Sequence, residues 1–184
     1  MDNGNMRDFR IYRGENPGKV SFYNLRGTAK ADEGELGEAI KHYSDAIKQN
    51  PEDALAYYNR ATIKADLGDY TGASEDFEKS VEIDRVAAIK FLEAGIAEYK
   101  KCRFQEAYDL FCRAIELNSS CCEAFYYRGR VRSDLGEYGD AISDLNEAIR
   151  LDPEYKPAYR SRGMIKANFG DYLGAWNDIN ITGE

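Results

Sequence analysis

Residues 122–155 read CEAFYYRGRVRSDLGEYGDAISDLNEAIRLDPEY, and this stretch decides the fold. Its marked positions are an aromatic at Phe125, a small residue at Gly129, a glycine at Gly136, a second aromatic at Tyr138, then Ala141, Leu145, Ala148 and Pro153. The aromatic recurs at a constant step of 34 residues as Tyr23, Tyr57, Phe91, Phe125 and Tyr159. Four positions on, the same step carries Gly27, Ala61, Gly95, Gly129 and Gly163, and an alanine stands at Ala39, Ala73, Ala107, Ala141 and Ala175. An unbroken period over most of a chain means one structural unit stacked on copies of itself.

The second copy shows how the unit builds itself. Ala54, Tyr57, Tyr58, Ala61 and Ala65 fall at helical spacing, so one apolar stripe runs along a first helix. Leu67-Gly68-Asp69-Tyr70 then supplies a glycine able to end that helix in the left-handed conformation. Tyr70, Ala73, Phe77 and Val81 give the second helix its own apolar face. Such a hairpin is too small to bury both faces alone and must pack on its neighbours. The small residues of each hairpin mark where its two helices approach closely, with the aromatic column filling the wider space beside them.

On these residues the chain resembles the tetratricopeptide repeat proteins, whose motif combines the aromatic, the small residue, the turn glycine, the second aromatic, the alanine, a large apolar residue and a closing proline. The resemblance implies an all-α, right-handed superhelical solenoid of five 34-residue helix-turn-helix repeats over 20–184, starting near 20, 54, 88, 122 and 156. Helix breaks are expected near Gly34, Gly68, Cys102, Gly136 and Gly170, with no strand between Val20 and Ile179. Residues 1–19 form an N-terminal arm whose Phe9, Ile11 and Tyr12 either lie over the first repeat as a cap or stay mobile.

Bulk composition narrows the function. The chain carries 33 acidic and 25 basic residues, a formal charge of −8. An acidic surface without a dense Lys/Arg stripe disfavours nucleic acid as a partner. No apolar run suits a signal-peptide core or a membrane span, so a cytoplasmic protein away from membranes is the expectation. Cys102, Cys112, Cys121 and Cys122 lack CxxC spacing and the one histidine, His42, is distant, so the pattern predicts no metal site and no cofactor. The thiols read as reduced, small apolar filler. With no nucleophile–base spacing and no phosphate-cradling loop, the chain reads as a non-enzymatic protein.

The third copy departs from the others. Cys102 replaces the turn glycine, and Arg85 and Ser119 stand where Pro51 and Pro153 close other copies. Neither residue blocks helix continuation, so those boundaries are expected to be longer or less sharply bent. Arg26, Arg60, Arg128 and Arg162 precede the small column, and sixteen residues later stand His42, Asp76, Asp144 and Asp178. The third copy has Ala94 and Leu110 at both places. This joint loss predicts Arg–Asp pairs within each hairpin, Arg60–Asp76, Arg128–Asp144 and Arg162–Asp178, with His42 in a structural column.

The resemblance also places a concave groove along the first helices, which hold a peptide in that family. It assigns to the groove Asn24 and Thr28, then Tyr58, Asn59 and Thr62, Leu92, Glu93 and Ile96, Tyr126, Tyr127 and Arg130, and Arg160 and Met164. Tyr and Arg are frequent interface anchors, so Tyr126, Tyr127 and Arg130 lead this set. One subgroup of the family clamps the C-terminal carboxylate of chaperones. Of its positions only Asn59 matches, while Asn24, Thr28, Ile89 and Glu93 do not, so that ligand is not expected. The reading is a scaffold for a protein or peptide partner. The alternative is a self-associating module, a homodimer joined through the last repeat, where Trp176 and Ile179 have no following helix to cover them.

Overall fold

The computed structural model describes residues 21–183. Among them lie nine helices and no strand. The helices are α1 (Phe22–Asp32), α2 (Leu36–Gln49), α3 (Ala54–Asp66), α4 (Tyr70–Lys100), α5 (Phe104–Leu117), α6 (Cys122–Asp134), α7 (Tyr138–Leu151), α8 (Lys156–Asn168) and α9 (Tyr172–Thr182). The N-terminal arm with Phe9, Ile11 and Tyr12 lies outside the described residues.

The turns inside the hairpins fall where the glycine column put them. Gly34, Gly68, Gly136 and Gly170 all have φ near +80°. The amide after each donates to the carbonyl five residues back, as Glu137 N does to Arg132 O at 2.8 Å. This six-to-one bond satisfies a carbonyl the helix end would leave open. Cys102 makes the same turn at φ 56°, with Arg103 N donating to Glu98 O at 3.1 Å.

Between hairpins the chain turns at Asn50, Asn118 and Asp152, each extended and each accepting through its side chain from the amide two residues on. The equivalent place after the second hairpin does not turn. There α4 runs unbroken for 31 residues through Asp84, Arg85 and Val86. The absence of a proline at Arg85 is therefore expressed as a continuous helix, whereas Ser119 sits in a sharp break. Five hairpins would have given ten helices; the fusion leaves nine.

The chain divides into two compact units after Asp84. In the first, Tyr43 and Ile63 are fully buried with Ala31 and Ala39. A Cβ on Gly27 would lie 2.6 Å from the Tyr43 ring, so this position needs glycine. In the second, one cluster joins Leu92, Phe111, Ala124 and Val131, and another joins Tyr126, Leu145, Ala158 and Ile165. At Gly129 and Gly163 the close approach is to the backbone carbonyls of Ala141 and Ala175.

The predicted charge pairs form, and each is a larger staple than the sequence suggested. Arg60 grips Asp76 with two parallel bonds of 2.7 Å, and Arg128 grips Asp144 at 2.9 and 2.7 Å. Arg162 does the same to Asp178. A second base joins each carboxylate four residues along, Lys64, Arg132 and Lys166, at 2.8–2.9 Å. The remaining guanidinium nitrogen reaches the preceding hairpin, donating to Ser44 Oγ, Cys112 Sγ or Asn146 Oδ1. Each arginine thus ties three helices, with its guanidinium also near the ring of Tyr57, Phe125 or Tyr159. The third copy has lost all three members, because Glu98 replaces the second base and pairs instead with Lys101 and Arg103. In the first copy His42 takes the aspartate's column beside the Tyr23 ring, and Arg26 lies over Phe22.

Candidate peptide-binding surface

Several residues assigned to the groove turn out to be structural. Asn24 is buried, and its amide donates to Asp53, the N-cap of α3, at 2.8 Å. Thr28 bonds the Asn24 carbonyl and the Tyr43 hydroxyl. In the same unit Tyr58 is half-buried with its ring edge on Phe77, and Thr62 donates back to the Tyr58 carbonyl. Asn59 is 2% exposed, and its Oδ1 is buried without a hydrogen-bond partner.

In the second unit Leu92 is buried beside Phe111 and Val131, and the half-buried Ile96 packs on the same cluster. Tyr126 is 9% exposed. Neither Leu92 nor Tyr126 offers a wide face to a ligand, because each fills the space between a first helix and its neighbours. Glu93, Arg160 and Met164 are exposed.

What remains accessible is centred on α6. Tyr127 stacks on Phe111 with centroids 5.6 Å apart and meets Tyr126 and Tyr99 edge-on. The Arg130 guanidinium lies 5.0 Å from the Tyr99 ring centre and 6.0 Å from that of Tyr126. No carboxylate of the described residues comes within ion-pair distance of Arg130, and Asp134 accepts from the Tyr99 hydroxyl at 2.6 Å. Burial pushes the Tyr99 phenol up, and its bond to Asp134 pushes it further, so it stays a neutral donor. Tyr155 completes the aromatic set, edge-on to Tyr126 at 5.3 Å.

Tyr99 and Tyr155 were not among the expected site residues. A signal existed for Tyr99, which interrupts a column otherwise held by Ala31, Ala65, Ser133 and Ala167. Tyr155 stands in the column of the helix-capping Asp53, where periodicity gives no hint of a ring reaching Tyr126.

Chemically the surface offers π faces and one guanidinium in no direct ion pair, with the charge of Asp134 nearby. Among the described residues no group of His, Cys, Asp or Glu is placed to hold a metal ion, and no helix is long and apolar enough to cross a membrane.

Family models agree with the repeat. A model described as TPR repeat matches residues 27–65, and two described as tetratricopeptide repeat match 54–86 and 122–155. A comparison with curated proteins gave no match. Among solved structures, a crystal structure of MamA is 27% identical, with a TM-score of 0.50 over 85% of this chain and 91% of that one. The second TPR domain of Spaghetti (RPAP3), solved bound to the HSP90 peptide SRMEEVD, is 21% identical, with a TM-score of 0.54 over 56% of this chain and 95% of that one. MamA from Desulfovibrio magneticus RS-1 is 18% identical, with a TM-score of 0.50 over 87% of this chain and 90% of that one. The 34-residue columns, the glycine-ended hairpins and the three family models together make this chain a tetratricopeptide repeat protein.

Proposed function

We propose that the chain is a non-enzymatic scaffold that takes a peptide or protein partner on the first-helix surface around Tyr127 and Arg130. The observation that carries this reading is Arg130, partly buried over two tyrosine rings with no carboxylate within ion-pair distance, in a chain of charge −8. Such a guanidinium is attracted by the π faces, and the donors it does not give to Tyr126 can meet an incoming anion. The partner segment places an acidic side chain or terminal carboxylate on Arg130 and an apolar side chain against Tyr127 and Ile96. Leu92 and Tyr126 act beneath, holding that wall in shape, while Arg160 and Met164 on α8 border it. Glu93, exposed on α4, belongs to the same surface. A neighbour of the same fold carries an acidic peptide, which supports this class of ligand. The chaperone-tail clamp is not the mode, since Asn24 is committed to Asp53 and Glu93 stands where a base is needed. Nucleic acid, membranes and cofactors have no part in this reading, and the cytoplasm is its setting.

An array of peptides pairing Asp or Glu with a large apolar residue tests it with the full chain. Binders should lose about tenfold or more in affinity on Arg130→Glu and about 1–3 kcal/mol on Tyr127→Ala. Replacing the peptide's acids by amides should reproduce the Arg130 loss. Equal binding by wild type and both variants would place the surface elsewhere.

A second reading, self-association through the last repeat, is favoured by one observation: Trp176 and Ile179 are exposed on α9.

A further inference from the structure

We infer that two copies of this chain meet α9 against α9 about a twofold axis, giving a closed dimer rather than a head-to-tail chain. This rests on the reading of self-association through the last repeat and specifies its geometry. Tyr172, Leu173 and Trp176 follow helical spacing along one side of α9 and are 74, 72 and 63% exposed, with Ile179 continuing the line at 39%. These four side chains present on the order of 500–600 Å² of accessible surface. That is more than half of the roughly 800 Å² each partner contributes to a stable interface, which fits a contact forming at micromolar to millimolar concentration.

The electrostatics of this face select a second copy as its occupant. Asp178 is the one charged side chain within α9, and it is buried against Arg162 and Lys166. Within α9 the outward face carries no charge; the exposed N-cap Asp171 stands at its start, and Asn177 and Asn180 are its exposed polar members. In a chain of charge −8, a neutral face is where two identical molecules can meet without like-charge repulsion. A twofold axis near Trp176 brings Tyr172 and Leu173 of each copy opposite Ile179 of the other, the self-complementary arrangement of an isologous contact.

The alternative, α9 of one copy seated on α1 of the next, meets a steric obstacle. Ala124 packs on α5 and Ala158 on α7, and with Ala56 in the same column all three are 0% exposed. That column of the first helix has room for a methyl group against the preceding hairpin. In α1 it holds Phe22, 64% exposed. A phenyl ring there prevents the seating used between α7 and α8.

Sedimentation equilibrium of the full chain between about 1 μM and about 1 mM, where interfaces of this size associate, decides the matter. The mass should rise from one chain to two and stop there. Phe22→Glu should behave like wild type, while Trp176→Glu and Leu173→Glu should each dissociate the dimer at least about tenfold more readily. Both side chains are exposed in the single chain, so the helical circular dichroism of the variants should be unchanged. If Phe22→Glu and Trp176→Glu are each monomeric alone but associate when mixed, or if the mass exceeds two chains, the contact is head-to-tail. The twofold geometry then falls while self-association stands. A wild type that remains one chain throughout overturns both, and a Trp176→Glu dimer as stable as wild type moves the contact off this stripe.

Discussion

Cys102 holds a left-handed turn, φ 56°, that glycine performs in the other four hairpins. For an L-residue this conformation brings Cβ against the backbone and costs about 1–2 kcal/mol. Part of that is regained because a glycine would lose more chain entropy on folding. Cys102→Gly should therefore stabilise the protein by about 0.5–1 kcal/mol in urea unfolding, with Cys102→Ala near neutral as the control. An unchanged midpoint for the glycine variant would mean that the turn relaxes its strain elsewhere. The column of glycines made this position legible from the chain alone. Burial at the groove positions was not legible in the same way. Leu92, Tyr126 and Arg160 share one column, yet the first two are buried and the third is exposed. Their exposure depends on what neighbouring hairpins bring against them, and periodicity carries no information on that.

At the scale of the element, α4 is the departure from regularity. The chain breaks at 50–56, NPEDALA, at 118–124, NSSCCEA, and at 152–158, DPEYKPA, but the equivalent 84–90, DRVAAIK, stays helical. It has no proline, and Ala87 replaces Asp53, whose carboxylate caps α3 by accepting from Ala56 N at 3.0 Å. Lys90 occupies the column of the buried Ala56, Ala124 and Ala158, and a lysine there is exposed. Nothing local stops the helix, and a long charged side chain disfavours the close seating that a stop would serve. Arg85→Pro separates the two possibilities. In the interior of a continuous helix proline removes a hydrogen bond and clashes with the previous turn, so the variant should lose about 3 kcal/mol. A turn like that at Pro51 or Pro153 would accept it with almost no loss. Thermal unfolding followed by circular dichroism reads the difference.

For the molecule as a whole, the Arg–Asp–base staples recur in both units and link folding to pH. Burial by itself would raise the carboxyls of Asp76 and Asp178, but the hydrogen bonds and charges of Arg60 with Lys64, and of Arg162 with Lys166, outweigh it. Both are held below their ordinary 3.8. A carboxyl depressed in the folded state adds stability that is present above its unfolded pKa and is lost as pH falls through the folded value. Asp53 acts in the opposite sense, because burial raises it despite its capping bonds. The two staples should dominate, so urea midpoints should fall between about pH 5 and pH 3, and Asp178→Asn should flatten that slope while lowering stability at pH 7. A midpoint that does not change over that range would show that these pairs contribute no net stability. The linear sequence by itself determined the hairpins, their turns and the partners in the charge pairs. Those features follow from spacing along a helix and from residues able to take or refuse a local conformation. Only the tertiary structure decided which groove positions are covered, that Tyr99 and Tyr155 join Tyr126 and Arg130, and that each arginine reaches a third helix. Those contacts bring together side chains 16–35 residues apart, and their geometry is set by packing between hairpins rather than by any rule along the chain.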